Sequence, residues 1–432
     1  MTSEERKCII ELVRREVVPA IGCTEPIAVA LCVARATELL GQVPDHVKVL
    51  MSTNILKNAM GVGIPGSGMT GLPIAVALGA LVGKSELGLE VLRDTNAEAV
   101  AAGKRMIEEG RIGLALKADA PEDVYVEAYA YASAADDVDA AGAVAIISGT
   151  HTRFAYEKAL GKVLLDLPLT VGNGEAKADV ALKMSTILDF VTEVPLADIE
   201  FIEDSARMNM AAAEASLGHR YGHQLGNLLL ETTHPEMIGD STLGHIITYT
   251  CAACDARMSG VPVPVMTNSG SGNQGIAATL PVAVFARDHQ CDHEHTVRAL
   301  MLSNLVAIYI KQSLGRLSAL CGCIVASTGA SCGITYLMGG GYTEICSAVK
   351  NMIANLTGMI CDGAKPSCSL KLSSGASTAV LSAMLAMQGH CVSNLEGIID
   401  NDVDKSIHNL TSIGREAMRE TNRMVLDIMV KK

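Results

Sequence analysis

Four cysteines in the last third of the chain have the type and spacing to do metal chemistry. They sit in Cys321-Gly-Cys323 and in Cys361-Asp-Gly-Ala-Lys-Pro-Ser-Cys368, with 40 residues from Cys321 to Cys361 and 7 from Cys361 to Cys368. Two cysteines on a Gly/Pro loop cannot share one regular helix face. A loop can, however, wrap both sulfurs around a common centre while a third arrives from a distant turn. Thiolates are soft ligands that suit iron–sulfur clusters and zinc. Three of them with no evident fourth would leave one metal position open to a substrate. The spacing fits no common zinc or ferredoxin pattern, so buried structural thiols are an equal alternative on spacing alone. Either Cys321 or Cys323 could be the first ligand.

Three further stretches carry polar chemistry. Cys23 lies beside the start of a helix, with Thr24 as its expected N-cap and Glu25 and Pro26 in the first turn. The orphan N–H groups and dipole there would favour a thiolate; the plain alternative is a packing cysteine after a glycine. The run Asn268-Ser269-Gly270-Ser271-Gly272-Asn273-Gln274-Gly275 precedes an apolar helix, and its small residues let backbone N–H groups approach a phosphate or a carboxylate. Asn54, Lys57 and Asn58 lead into a glycine-dense loop over 61–71 that follows neither the P-loop nor the dinucleotide fingerprint. Lys57 could pair with a carboxylate or act as a base, and a tightly packed connector is the competing reading. Cys251-Ala-Ala-Cys254 reads as helical, without a thioredoxin-like unit around it. His219 and His223 read as a second-choice pair on a helix, and His289, His293 and His295 as parts of a solvated turn. Cys8, Cys32, Cys332, Cys346 and Cys391 read as packing residues.

The elements that must position these residues fall into two groups. Residues 3–40 predict two helices broken at 19–24. A strand is expected at 47–53, helices at 72–82 and 94–109, and an antiparallel hairpin from 124–133 and 143–148 through a turn at 136–139. From residue 202 onward strands nearly vanish, and helical Ala/Leu/Met segments alternate with Gly/Ser/Asn loops to a last helix at 404–430. The fold class is therefore α+β: an N-terminal α+β domain over 1–200 with a mostly antiparallel sheet, an all-α domain over 201–432, and the site at their interface.

Composition narrows the function classes. Of the 432 residues 49% are hydrophobic and 19% charged, ample for buried cores, while aromatics are only 3%, so Gly and Ala must let helices pack closely. The net charge of −13 comes with no basic block, which excludes phosphate-backbone binding and hence a nucleic-acid partner. The polar start shows no secretory signal, and the longest apolar runs, 71–83 and 275–286, are shorter than the roughly 20 residues that span a bilayer. Thirteen cysteines without a leader argue for reduced thiols in a cytoplasmic, non-membrane protein. A homodimer is one assembly left open.

Four motifs together resemble one family: Gly22-Cys23-Thr24-Glu25-Pro26, Asn54-Ile-Leu-Lys57-Asn58-Ala-Met-Gly61-Val-Gly63-Ile-Pro65-Gly66, the 268–275 run, and the Cys361–Cys368 loop. In this order, over essentially the whole chain, they are similar to the iron–sulfur L-cysteine desulfidases, which are distantly similar to the iron–sulfur L-serine dehydratases. The resemblance implies a PLP-independent carbon–sulfur lyase that converts L-cysteine and water to pyruvate, ammonia and hydrogen sulfide. It implies Cys321, Cys361 and Cys368 as ligands of a [4Fe–4S] cluster, the 40-residue spacing selecting Cys321 over Cys323. Cys23 matches the family's additional functional cysteine and is the expected base, with Lys57 second. Thr24, Asn54, Asn58, Asn268, Ser269, Gly270 and Asn273 match its substrate-binding turns. An iron–sulfur L-serine dehydratase and a non-enzymatic cluster or thiol sensor are the rival readings.

Overall fold

The computed structural model describes residues 1–133, 137–170, 180–231, 238, 240–315 and 318–431. Its main sheet has six strands: β2 (His46–Met51), β3 (Ile112–Leu116), β4 (Tyr125–Tyr131), β5 (Gly142–Ser148), β6 (Phe154–Ala159) and β7 (Lys162–Asp166). Their spatial order is β3-β2-β4-β5-β6-β7. Only β2 and β3 run parallel, and the other four pairings are antiparallel. The expected hairpin is β4 and β5, with Tyr125 opposite Ser148 and Tyr131 opposite Gly142. Asp136 of its predicted turn lies outside the described residues, and Val138–Ala141 forms a short helix before β5.

Alternation along β2, with Val47, Val49 and Met51 buried, turns one face of the sheet toward the Thr24–Leu40 helix. That helix is buried almost all round, because the Leu72–Val82 helix covers another of its sides. The 47–53 expectation ends early: Ser52 turns the chain, and Thr53–Ala59 is a helix, so Asn54, Lys57 and Asn58 are helical and not part of a loop.

After residue 180 the described chain is helical apart from one three-residue strand. The helices Thr242–Met258, Gly272–Asp288, His293–Leu314, Gly322–Leu337 and Cys368–Met387 form one body with a continuous core. Ile9, Leu12 and Val13 of the Ser3–Glu16 helix join this core, as do residues from Leu182 onward. Small residues let the helices approach: a Cβ on Gly329 would lie 2.2 Å from the Ser303 carbonyl oxygen of the neighbouring helix.

Several local expectations change in the fold. The segment expected to be one final helix is Val403–Ser412, a π-helical turn over Ile413–Ala417, and Arg419–Val430. His219 and His223 lie in the irregular connection after the Glu203–Ser216 helix, where Asp255 accepts the His223 backbone N–H and fixes it there. One helix among the described residues, Cys368–Met387, is long and apolar enough to cross a membrane by length and composition, and half of it is buried inside the protein.

A two-stranded ribbon ties the two bodies. β1 (Pro19–Ile21) pairs antiparallel with β8 (Pro264–Met266). Thr267 N donates to Val18 O at 2.9 Å, and Ser269 N to Glu16 O at 2.9 Å. Each strand leads into one of the polar loops singled out in the sequence.

Candidate active site

The cysteines meet because two backbone segments pair across forty residues. Cys321 N donates to Met359 O at 3.0 Å and Cys361 N to Ala319 O at 2.7 Å, around a Leu320–Ile360 bridge. Cys321 then precedes the first turn of the Gly322–Leu337 helix, and Cys368 opens the Cys368–Met387 helix. Two of the sulfurs thus stand at helix N-termini, whose partial positive charge favours thiolates. The loop between Cys361 and Cys368 is held from within: the Asp362 carboxylate takes both Lys365 and Lys371. Gly363 has φ +89°, and a Cβ there would lie 2.4 Å from the Lys57 carbonyl oxygen.

Cys321, Cys323, Cys361 and Cys368 line one cavity with Cys23, Glu25, Asn58 and Asn273. The sequence-predicted halves of the site therefore converge. The Cys323 thiol donating to Cys321 pulls Cys321 down to about 6 against its burial, with Lys371 and Lys365 adding to the effect. Burial pushes Cys361 up, and Cys368 up to about 11. Among the described residues no three His, Cys, Asp or Glu side chains meet at single-ion distance.

In the same cavity the Cys23 thiol donates to Glu25 Oε2 at 3.0 Å, and Asn58 Nδ2 donates to Glu25 Oε1 at 2.9 Å. Burial first, and then the Glu25 carboxylate, push the Cys23 thiol far up. This corrects the expectation of a helix-stabilised thiolate: desolvation and a carboxylate at hydrogen-bond distance outweigh the helix dipole. Cys23 itself occupies the N-cap position expected for Thr24. Thr24 Oγ1 lies 2.9 Å from Gly270 O and joins the two loops from behind. Burial acts against the Glu25 carboxylate, yet His151, Cys23 and Arg257 together hold it below its ordinary range.

The remaining expected residues divide. Ser269, Gly270 and Asn273 line the cavity. Asn268 does not: it is fully buried, and its Nδ2 donates to Asn304 O at 3.1 Å, anchoring the loop. Asn54 lines separate cavities and bonds Asp123 and Asn422, so it stands outside this site. Lys57 stands behind the cysteine loop rather than at the cavity, its Nζ donating to Cys361 O at 3.4 Å and to Asn422 Oδ1 at 2.5 Å. Burial lowers the Lys57 ammonium, with Cys361 and Glu25 opposing.

Gln274 of the 268–275 run lines the cavity as well, and so do His151, Arg257 and Lys311, which were not singled out in the sequence. Arg257 and Lys311 had one visible signal, a cation on an otherwise buried helix. His151, in the turn between β5 and β6, had none.

Residues 86–427 match the profile of the family described as the serine dehydratase alpha chain. The chain is 59% identical over 432 residues, the whole of both chains, to a UPF0597 protein of Bacteroides fragilis. It is 51% identical over 438 aligned residues to one of Porphyromonas gingivalis and 42% over 433 to one of Oleidesulfovibrio alaskensis, again across the whole of both chains.

Proposed function

The chain belongs to the serine dehydratase alpha-chain family, a family of lyase type associated with iron–sulfur enzymes, and from that premise we propose that it is a PLP-independent L-cysteine desulfidase. The observation that carries this reading is the meeting of Cys321, Cys361 and Cys368 with the Cys23–Glu25 pair around one cavity. L-Serine is the second reading, favoured by the family profile itself.

Cys321, Cys361 and Cys368 would hold a [4Fe–4S] cluster, and each thiol would give up its proton on binding. The donor set fits: three cysteines lining one cavity, two of them at helix N-termini, with Lys57, Lys365 and Lys371 close by. Bound there, the cluster supplies a Lewis-acidic iron that draws electrons from the leaving atom.

The chain's own residues handle the rest. Elimination removes the α-proton, breaks the Cβ–S bond and sends its electron pair out with sulfur as hydrosulfide. Aminoacrylate then leaves and hydrolyses to pyruvate and ammonia. Cys23 and Glu25 act as one proton-handling pair with a single net negative charge, the thiol's proton having Glu25 to move to at 3.0 Å. Lys57 keeps the Cys361 carbonyl, and with it the cysteine loop, in place. The partner is a small amino acid; nucleic acid and membrane have no part in the reading, which assigns the protein to the cytoplasm.

The test is the kcat/KM of anaerobically purified protein for L-cysteine and for L-serine, read as pyruvate with each and as sulfide with L-cysteine. Preference for L-cysteine supports the reading, preference for L-serine moves it to the dehydratase, and pyruvate from neither defeats both.

A further inference from the structure

Arg257 Nε, Asn58 Oδ1 and Gln274 Oε1, buried polar atoms of residues that line the cavity, have no hydrogen-bond partner among the described residues. Their residues are 2%, 7% and 3% exposed, so bulk water does not reach them freely, and such groups ordinarily find partners. The Asn58 amide is oriented by its neighbour. Asn58 Nδ2 donates to Glu25, which leaves its Oδ1 as an acceptor. Arg257 Nη1 donates to Asn273 Oδ1 at 2.9 Å, which aims the guanidinium at the start of the Gly272–Asp288 helix. A Cβ on Gly272 would lie 2.2 Å from Arg257 Nε, so the guanidinium packs directly on that glycine.

The wall therefore offers a cationic donor at one place and two carbonyl acceptors at others, with the Glu25 carboxylate beside Asn58. An inorganic anion would satisfy the guanidinium and be repelled by the amide oxygens. An amine would do the reverse. A molecule carrying a carboxylate and an ammonium satisfies both.

We propose that Arg257 binds the α-carboxylate of the substrate while Asn58 Oδ1 and Gln274 Oε1 accept from its α-ammonium, so that the site selects free α-amino acids unblocked at both ends. The assignment rests on the lyase reading for the reaction it serves. Charged and bidentate contacts of this kind dominate recognition because losing one partner strands the other in a dry site.

The experiment is calorimetric titration of the anaerobically purified full chain with L-alanine, which has both groups and nothing to eliminate. Propionate lacks the ammonium, and L-alanine methyl ester lacks the carboxylate. L-Alanine should bind at least tenfold more tightly than either. Arg257→Met should weaken L-alanine at least tenfold, with Arg257→Lys recovering part. Gln274→Leu should weaken L-alanine severalfold and leave propionate unchanged, a split that a merely structural role would not produce. Equal binding of the three probes to the unaltered protein, or an equal loss of L-alanine and propionate in Gln274→Leu, overturns the proposal whether or not Arg257→Met folds. The probe pattern without pyruvate from L-cysteine or L-serine would leave this assignment standing and remove the lyase reading. Pyruvate with no probe discrimination would do the opposite.

Discussion

The buried Cys23 thiol and the buried Glu25 carboxylate face each other at 3.0 Å. Groups coupled this closely work as a unit, so their removal is not additive. Cys23→Ser and Glu25→Gln should each lower kcat by about 10²-fold or more. The double variant should lose no more than the worse single one, as measured by pyruvate formation; a loss equal to the product of the two would show independent roles. At this scale the cysteines stood out by type and position in a Gly/Pro loop, while spacing alone left buried structural thiols an equal alternative. The charge state of Cys23 was not legible, because burial depends on what covers the helix start. Arg257 and His151 were hidden for the same reason: their partners in the cavity come from segments far away in the chain.

Short elements set the site's geometry, and their contacts are mostly between backbones. Gly63 N donates to Met258 O at 2.9 Å, and Gly66 N to Gly260 O at 3.2 Å, so the glycine-rich loop docks on the turn that follows Arg257. A Cβ on Gly63 would lie 2.3 Å from the Ser259 carbonyl carbon. Gly63→Ala should therefore destabilise the protein by about 1–3 kcal/mol and weaken L-alanine binding by displacing Arg257; denaturant melts and calorimetry check the two effects. Lys57 ties the Thr53–Ala59 helix to the cysteine loop and to Asn422 of the last helix. Lys57→Met should cost on the order of 2 kcal/mol, read from denaturant melts.

A third element contact gives a pH dependence. His245 Nδ1 lies 2.6 Å from Asp288 Oδ2, and Nε2 lies 2.7 Å from Asp240 Oδ1. The bond to Asp288 raises His245 above its ordinary range despite partial burial, with Asp240 adding to it. A raised folded-state pKa stabilises fully below the unfolded value near 6.5 and is lost as pH rises through the folded value. The thermal midpoint should thus fall as pH rises across that window, and Asp288→Asn should flatten the fall. Helix and hairpin positions were legible from periodicity. The loop-to-turn docking was not, since it is made by glycine backbones without side-chain signals.

Over the whole molecule, the expected change from strands to Ala/Leu/Met helices matches an N-terminal mixed sheet followed by a mostly helical region, with the helices setting in at Met184, before the expected residue 200. The three-residue ribbon of β1 and β8 was too short to read, although it brings the Cys23 and Asn268 loops together. The helical core also takes in the Ser3–Glu16 helix, which packs on the His293–Leu314 helix, a long-range contact that local pattern cannot disclose. At this scale the prediction concerns what the assembled cavity holds, and the measurement is iron and acid-labile sulfide in anaerobically purified protein beside Cys361→Ser. The account predicts close to four of each per chain, falling sharply in the variant together with pyruvate formation. A single zinc, no metal, or an iron content untouched by the loss of Cys361 would contradict it.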